Sequence, residues 1–230
     1  MSKLNWDQAG QRTYETGVDH GVLYPKASSG TGYDAGVAWN GLTGVSEKPS
    51  GAEPTAIYAD NIKYLNLVSA EEFGGTIEAY TYPDEWAQCD GSASPVTGAT
   101  IGQQARRAFG FCYRTRFGND QQGSEYGYKL HLVYNALASP SERSYETIND
   151  SPDAIQFSWE FSTIPEAFTT NAYKNYKPTA CLTIDSTKVT QAKMTSLENL
   201  LYGTDAEGQT AGTNPQLPTP DEVLALLAAT

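Results

Sequence analysis

The side chains able to do chemistry are few and scattered. Two histidines occur, His20 in a glycine-rich stretch and His131 on the polar side of a predicted strand. A shared catalytic or metal site would need both to converge from unrelated segments, so surface or interface roles are the simpler reading. Cys89, Cys112 and Cys181 form no close pair, which suits free thiols in a reducing compartment. Cys112 stands near Arg106, Arg107 and Arg114, and positive charge lowers a thiol pKa, yet a buried or interface thiol fits its strand position better. Asp84, Glu85 and Asp90 surround Trp86. Paired carboxylates set across a cleft hydrolyse glycosides, whereas adjacent acids after a proline start a short helical turn, where they favour the helix N-terminus. Gly30, Gly32 and Gly36 resemble a dinucleotide fingerprint only faintly, because the spacing departs from it and no helix is predicted to follow. There is no phosphate-binding loop ending in Lys-Ser or Lys-Thr, no paired-histidine zinc motif and no nucleophile elbow. The expectation is a protein that is not an enzyme and uses no cofactor or metal.

One basic concentration remains: Arg106, Arg107, Arg114 and Arg116, in a chain with 27 acidic and 15 basic residues and a formal charge of −12. It suits either phosphate or acidic residues of a neighbouring copy, and contact between copies is favoured because complementary patches set register. The acidic balance argues against gripping nucleic acid by neutralising phosphates. It leaves open a surface past which DNA slides.

The elements that would position these residues are mostly strands. At 230 residues, with 39% hydrophobic and 18% charged residues, one folded domain is expected. No apolar stretch of roughly 18 residues is present to cross a membrane, and the polar first ten residues predict no export signal. Strict alternation predicts strands over 155–161, with Ile155, Phe157, Trp159 and Phe161 on one face, and over 126–134, with Tyr126, Tyr128, Leu130, Leu132 and Tyr134 on one face. Phe109, Phe111 and Tyr113 alternate with Cys112, Arg114 and Arg116. The turn residues of 118–123 predict that this strand pairs antiparallel with the next. Further strands are predicted at 37–40, 76–82 and 180–185. Residues 47–54 read as a polar projecting loop, and Ser69 to Glu72 has the form of a capping box, for which helix and turn both fit. Glycines at 10, 17, 21, 30, 32 and 36 predict an extended N-terminal arm over 1–36. A body over 37–203 follows, ending in a packed helix near 187–202 that Gly203 stops. Residues 204–230 form a tether and a short helix opened by Thr219, Pro220 and Glu222, whose apolar face needs a partner surface.

Several segments, taken in order, resemble the major tail proteins that build the tail tube of long-tailed, non-contractile bacteriophages. They are 12–24 (RTYETGVDHGVLY), 76–86 (TIEAYTYPDEW) with Cys89, Asp90 and Gly91, 109–120 (FGFCYRTRFGND), 129–135 (KLHLVYN) and 157–163 (FSWEFST). The resemblance covers most of the chain, and its specificity rests on the number and order of segments. It implies a mainly β, sandwich or barrel-like tail tube fold with a flanking helix, an extended N-terminal arm and a short C-terminal helix. It further implies self-assembly into stacked hexameric rings, with a tape measure protein and viral DNA in the lumen and tail terminator and distal tail proteins at the ends. No membrane binding is implied, and the place of action is the virion, after assembly in the host cytoplasm. On this reading Glu78 and Glu160 are candidates for an acidic channel wall that repels phosphates. The N-terminal arm and residues 47–54 are candidates for contacts between rings. A tube subunit of a contractile tail, gene transfer agent, tailocin or type VI-like system would resemble the same fold. An alternative from another class is a carbohydrate-binding β-sandwich, motivated by 15 Tyr and 4 Trp.

Overall fold

A computed structural model describes residues 3–28, 32–148, 153–206 and 211–229. Among them the strands are β1 (Thr13–Pro25), β2 (Val37–Trp39), β3 (Leu42–Glu47), β4 (Ser50–Gly51), β5 (Thr55–Ala59), β6 (Ile62–Leu67), β7 (Glu71–Glu72), β8 (Gly74–Ala79), β9 (Ala93–Val96), β10 (Ala99–Ile101), β11 (Phe109–Asn119), β12 (Gly123–Ala138), β13 (Phe157–Thr163) and β14 (Cys181–Asp185). The helices are α1 (Ala87–Asp90), α2 (Gln191–Tyr202) and α3 (Pro220–Ala228). The fold is mainly β. Eight strands form one antiparallel sheet in the order β2-β1-β11-β12-β13-β8-β3, with β14 also on β12.

The alternation read from the sequence decides which side chains face which core. Leu130, Leu132 and Tyr134 of β12 point to one side and pack with Val22 and Tyr24 of β1, Cys112 of β11, and Met194, Leu197 and Leu201 of α2. Phe109, Phe111 and Tyr113 of β11 point to the other side, where Trp39, Trp86, Trp159 and Phe161 complete a second core. The middle of the sheet is thus buried on both faces. Its far end curls round the aromatic core until β3 approaches β1, so that a Cβ on Gly21 would lie 2.4 Å from Leu42 Cδ1. Inside the curl Trp39 meets Trp86 at 4.7 Å, Phe111 at 5.6 Å and Trp159 at 5.5 Å between ring centres, tilted or edge-on as aromatic quadrupoles prefer. A bulge at Asn135, which has φ 46°, shifts β12 by one residue, so Ala136 and Ala138 join Val133 in this core.

The arm expected over 1–36 is corrected in part, because residues Thr13–Pro25 are a 13-residue strand inside the sheet, with Leu23 and Tyr24 fully buried. The glycines that suggested an arm serve irregular pairing instead. The β1 register shifts between Thr16 and Asp19 and again before Val22, and Gly17 at φ 66° sits at the first shift. The strand expected from Ile155 starts at Phe157, since its partner β8 ends opposite that residue at Ala79, and Ile155 is left exposed.

The terminal helix finds its partner surface within the chain. Val223 and Leu217 are buried in the helix-covered core, beside α2. The predicted cap is present: the Thr219 side chain accepts from the Glu222 N–H, the Glu222 carboxylate accepts from the Thr219 N–H at 2.8 Å, and Pro220 occupies the first turn. Tyr24 Oη donates to the Leu201 carbonyl at 2.6 Å, fixing the end of α2 to β1. Residues 207–210 of the predicted tether lie outside the described residues.

Leu197→Ala, at a fully buried position of α2, is expected to lower the unfolding free energy by about 2–5 kcal/mol. Thr219→Ala should cost only about 1 kcal/mol through loss of the cap. Urea denaturation of both variants checks the ranking; an equal loss would show that α2 is not the main cover of the sheet.

Candidate functional site

Residues 48–72 contain no buried side chain, although they are rich in apolar ones. The segment is a long hairpin growing from the paired strands β3 and β8. Pairing continues from Glu47 and Gly75 through β4 and β7 to β5 and β6. Asp60 and Asn61 close it in a two-residue turn with φ 51° and 62°, the left-handed pair that matches strand twist. The projecting loop expected over 47–54 is therefore the first leg of this hairpin. The helix or turn expected at Ser69 to Glu72 is corrected: Glu71–Glu72 pairs with Ser50–Gly51, and ladder hydrogen bonds win over the local capping signal. By register Ile57, Ile62, Leu65 and Leu67 share one face, and Tyr58, Tyr64 and Val68 are at least 60% exposed. An isolated two-stranded ribbon is marginal in water, and a contiguous exposed apolar patch marks an interaction surface.

The root of the hairpin is tied to the opposite side of the curled sheet. Glu47, the last residue of β3, accepts from Tyr113 Oη at 2.7 Å and lies 3.5 Å from His131 Nδ1. His131 stacks on Tyr113 at 4.6 Å with rings 3° from parallel, and its Nε2 lies 2.9 Å from the Thr115 hydroxyl. Its side chain is only 13% exposed, so of the surface and interface roles expected for His131 the surface one is corrected. Burial holds the imidazole below its ordinary pKa, against the pull of Glu47 and Glu15. On the other side of the root, Lys48 pairs with Glu160 at 3.1 Å.

The four arginines do not form one patch. Arg107 binds Asp34 at 2.6 Å, and Arg114 holds Asp19 through two nitrogens at 2.7 and 3.0 Å, which keeps that carboxyl below the usual range. Arg116 lies 3.5 Å from Asp19 and 3.8 Å from Glu125. Arg107 and Arg114 precede and follow the first half of β11, about 23 Å apart at ~3.3 Å per residue. Only Arg106 makes no ion pair among the described residues. Glu78 and Glu160 share the outward polar face of β8 and β13, with Ser158 and Thr76 as their respective cross-strand partners; Glu78 accepts from Gln156 and Glu160 from Lys48.

The remaining candidates disperse. Asp84 and Glu85 open a 3-10 turn over Asp84–Trp86, and Asp90 pairs with Arg143 and accepts from Ser92. Cys89 and Cys112 are unbridged thiols that burial pushes up to about 12, so the arginines near Cys112 do not activate it. His20 lies against Asp19 and Tyr202 on the helix-covered side of the sheet, whereas His131 stacks on Tyr113 on the other side. Gly30 of the faint nucleotide pattern lies outside the described residues, and Gly36 leads into β2, not a helix. No group of three metal-ligating side chains stands together among the described residues. No protein-family model matches the chain, and no curated protein matches it in sequence.

The hairpin as a whole escaped sequence reading. Its signal was Asp60-Asn61 between two apolar runs, a two-residue turn without the customary glycine.

His131 supplies a pH test. Its folded pKa is lowered from 6.5, so the unfolded chain takes up the proton first. Its contribution is fully present above about pH 6.5 and is lost as pH falls from there through the folded value. Stability measured by denaturation at pH 7 and pH 5.5 should fall for the native chain and fall less for His131→Gln. Equal slopes would contradict the assignment.

Proposed function

We propose that this chain is a structural subunit that assembles with copies of itself into a hollow tube, as the major tail protein of a long-tailed bacteriophage does. Stacked hexameric rings form the tube, and DNA passes through its lumen. The observation that carries this reading is the hairpin of residues 48–72, none of whose apolar side chains is buried within the subunit. A lone folded chain gains nothing from holding them in water, whereas a neighbouring copy that covers them gains the area removed from solvent. Open strand edges support the same reading. Among the described residues β2 pairs only with β1, and β14 only with β12; an edge strand is a template for a strand of the next copy unless it is blocked. The charge of −12 suits a conduit that must pass a polyanion without binding it.

The carbohydrate-binding alternative has less support. Trp39, Trp86 and Trp159 are buried and only Trp6 is exposed, and the exposed tyrosines of the hairpin stand on a projection, not on a sheet face shaped to a glycan.

Negative-stain microscopy of the purified full chain is expected to show rings or tubes of uniform width. Tyr64→Asp with Leu65→Asp should abolish them and leave the melting temperature within a few degrees of the native chain. A native chain that stays monomeric over a wide concentration range would overturn the reading. In assembled particles, Glu78→Lys with Glu160→Lys should slow DNA release; unchanged release from intact tubes would remove these two residues from the channel wall.

A further inference from the structure

Two groups of exposed apolar side chains stand at opposite ends of β3, β8 and β13. β3 ends, β8 begins and β13 ends at the hairpin root, where Ser162 pairs with Gly74 and Glu47 with Gly75. At the other end of the same three strands Leu42 and Phe157 both pair with Ala79. The ends are about 17 Å apart at ~3.4 Å per residue. Beyond Ala79 the chain runs through Tyr80, which is 52% exposed, into the 3-10 turn and α1. There the short hairpin of β9 and β10 exposes Val96 and Ile101, with Tyr145 and Ile155 also uncovered. Between the helical turn and this short hairpin lies an open groove of about 650 Å³, lined by Tyr82, Asp84, Glu85, Thr97 and Arg143 among others. A hollow of about 420 Å³ adjoins it and contains Arg106.

We propose that this groove receives the long hairpin of a second copy, so that the contact is head-to-tail. The inference rests on the assembly reading above and names the surface that completes it. A subunit's own hairpin points away from its groove, from the far end of the same strands, so the occupant is another molecule. The charges match in kind: the hairpin carries Glu53, Asp60, Glu71 and Glu72 against Lys48 and Lys63, and Lys48 is already engaged by Glu160. At its tip Asp60 suits Arg106, which makes no ion pair among the described residues, at the groove end, and Lys63 suits the exposed carboxylates of Asp84 and Glu85. Hairpin into groove is a contact between two different surfaces, each left free at one end of the stack, and it therefore propagates along a line instead of closing on itself.

The test is cysteine cross-linking in the full chain, with Asn61→Cys at the tip and Thr97→Cys in the groove. Cys89 and Cys112 are buried, and the partly exposed Cys181 is replaced by Ser in every variant to remove background. A disulfide demands Cα atoms within about 7 Å. Under mild oxidation the double variant should give a ladder of covalent multimers, and Asn61→Cys with Thr187→Cys, a position beside β14, should not. Independently, Asp60→Arg and Arg106→Asp should each raise the concentration needed for assembly roughly tenfold, and the two together should restore much of the loss. Tubes that form without the tip-to-groove cross-link, or a double charge reversal no better than the singles, would overturn the groove assignment and leave tube assembly standing. Failure of the native chain to assemble would overturn both.

Discussion

Burial of the central strands on both faces is the constraint from which the rest follows. β1, β11 and β12 send alternate side chains into an aromatic core on one side and a helix-covered core on the other. Each strand therefore needs two covers, and the chain supplies them differently. The aromatic side is covered by curling the sheet, which brings Phe161 of β13 against Phe109 and Trp159 against Trp39 and Trp86. The other side is covered by α2 and α3, and Tyr24 joins the two by bonding the last turn of α2. Once both cores are closed, the apolar residues of β5 and β6 have nowhere inside the subunit to go.

That division makes the root of the hairpin mechanically important. A ribbon with no buried side chain takes its direction from where it is anchored. Here the anchors are the β3–β8 ladder, Glu47 across the curl to Tyr113, and Lys48 beside it to Glu160. Tyr113 and His131 stack in a site where burial disfavours charge, so near neutral pH the link is a hydrogen bond from a phenol to a carboxylate, with a neutral imidazole alongside. Such bonds gain strength when shielded from water, which fits a joint at the edge of a core better than an exposed ion pair would.

Much of this was legible in the sequence where one periodicity ruled a whole segment. The β11–β12 hairpin, the inward face of Trp159 and Phe161, the α2 helix and the capping box of α3 all follow from spacing and cap chemistry. Legibility failed where pairing was irregular. In β1 two register shifts break the alternation, and its glycines, needed for those shifts and for the approach of Leu42, look like those of a flexible arm. In β12 the bulge at Asn135 reverses the faces beyond Tyr134. Among site residues, adjacency in sequence misled for the arginines: a strand separates neighbours by over 3 Å per residue, so Arg107 is drawn to Asp34 while Arg114 and Arg116 share Asp19. His131 looked solvent-facing because alternation tells which side a residue takes, not what lies there, and Glu47 arrives from a strand 84 residues earlier.

The same physics links order in the hairpin to assembly. An isolated ribbon of this kind is marginal, and anything that binds its ordered form shifts the equilibrium toward that form in proportion to the logarithm of partner concentration. A neighbouring copy covering Ile57, Ile62, Leu65 and Leu67 would order the segment as it buries it. Part of the gain from burial then offsets the entropy of ordering the ribbon, so the first contact between two copies is weak.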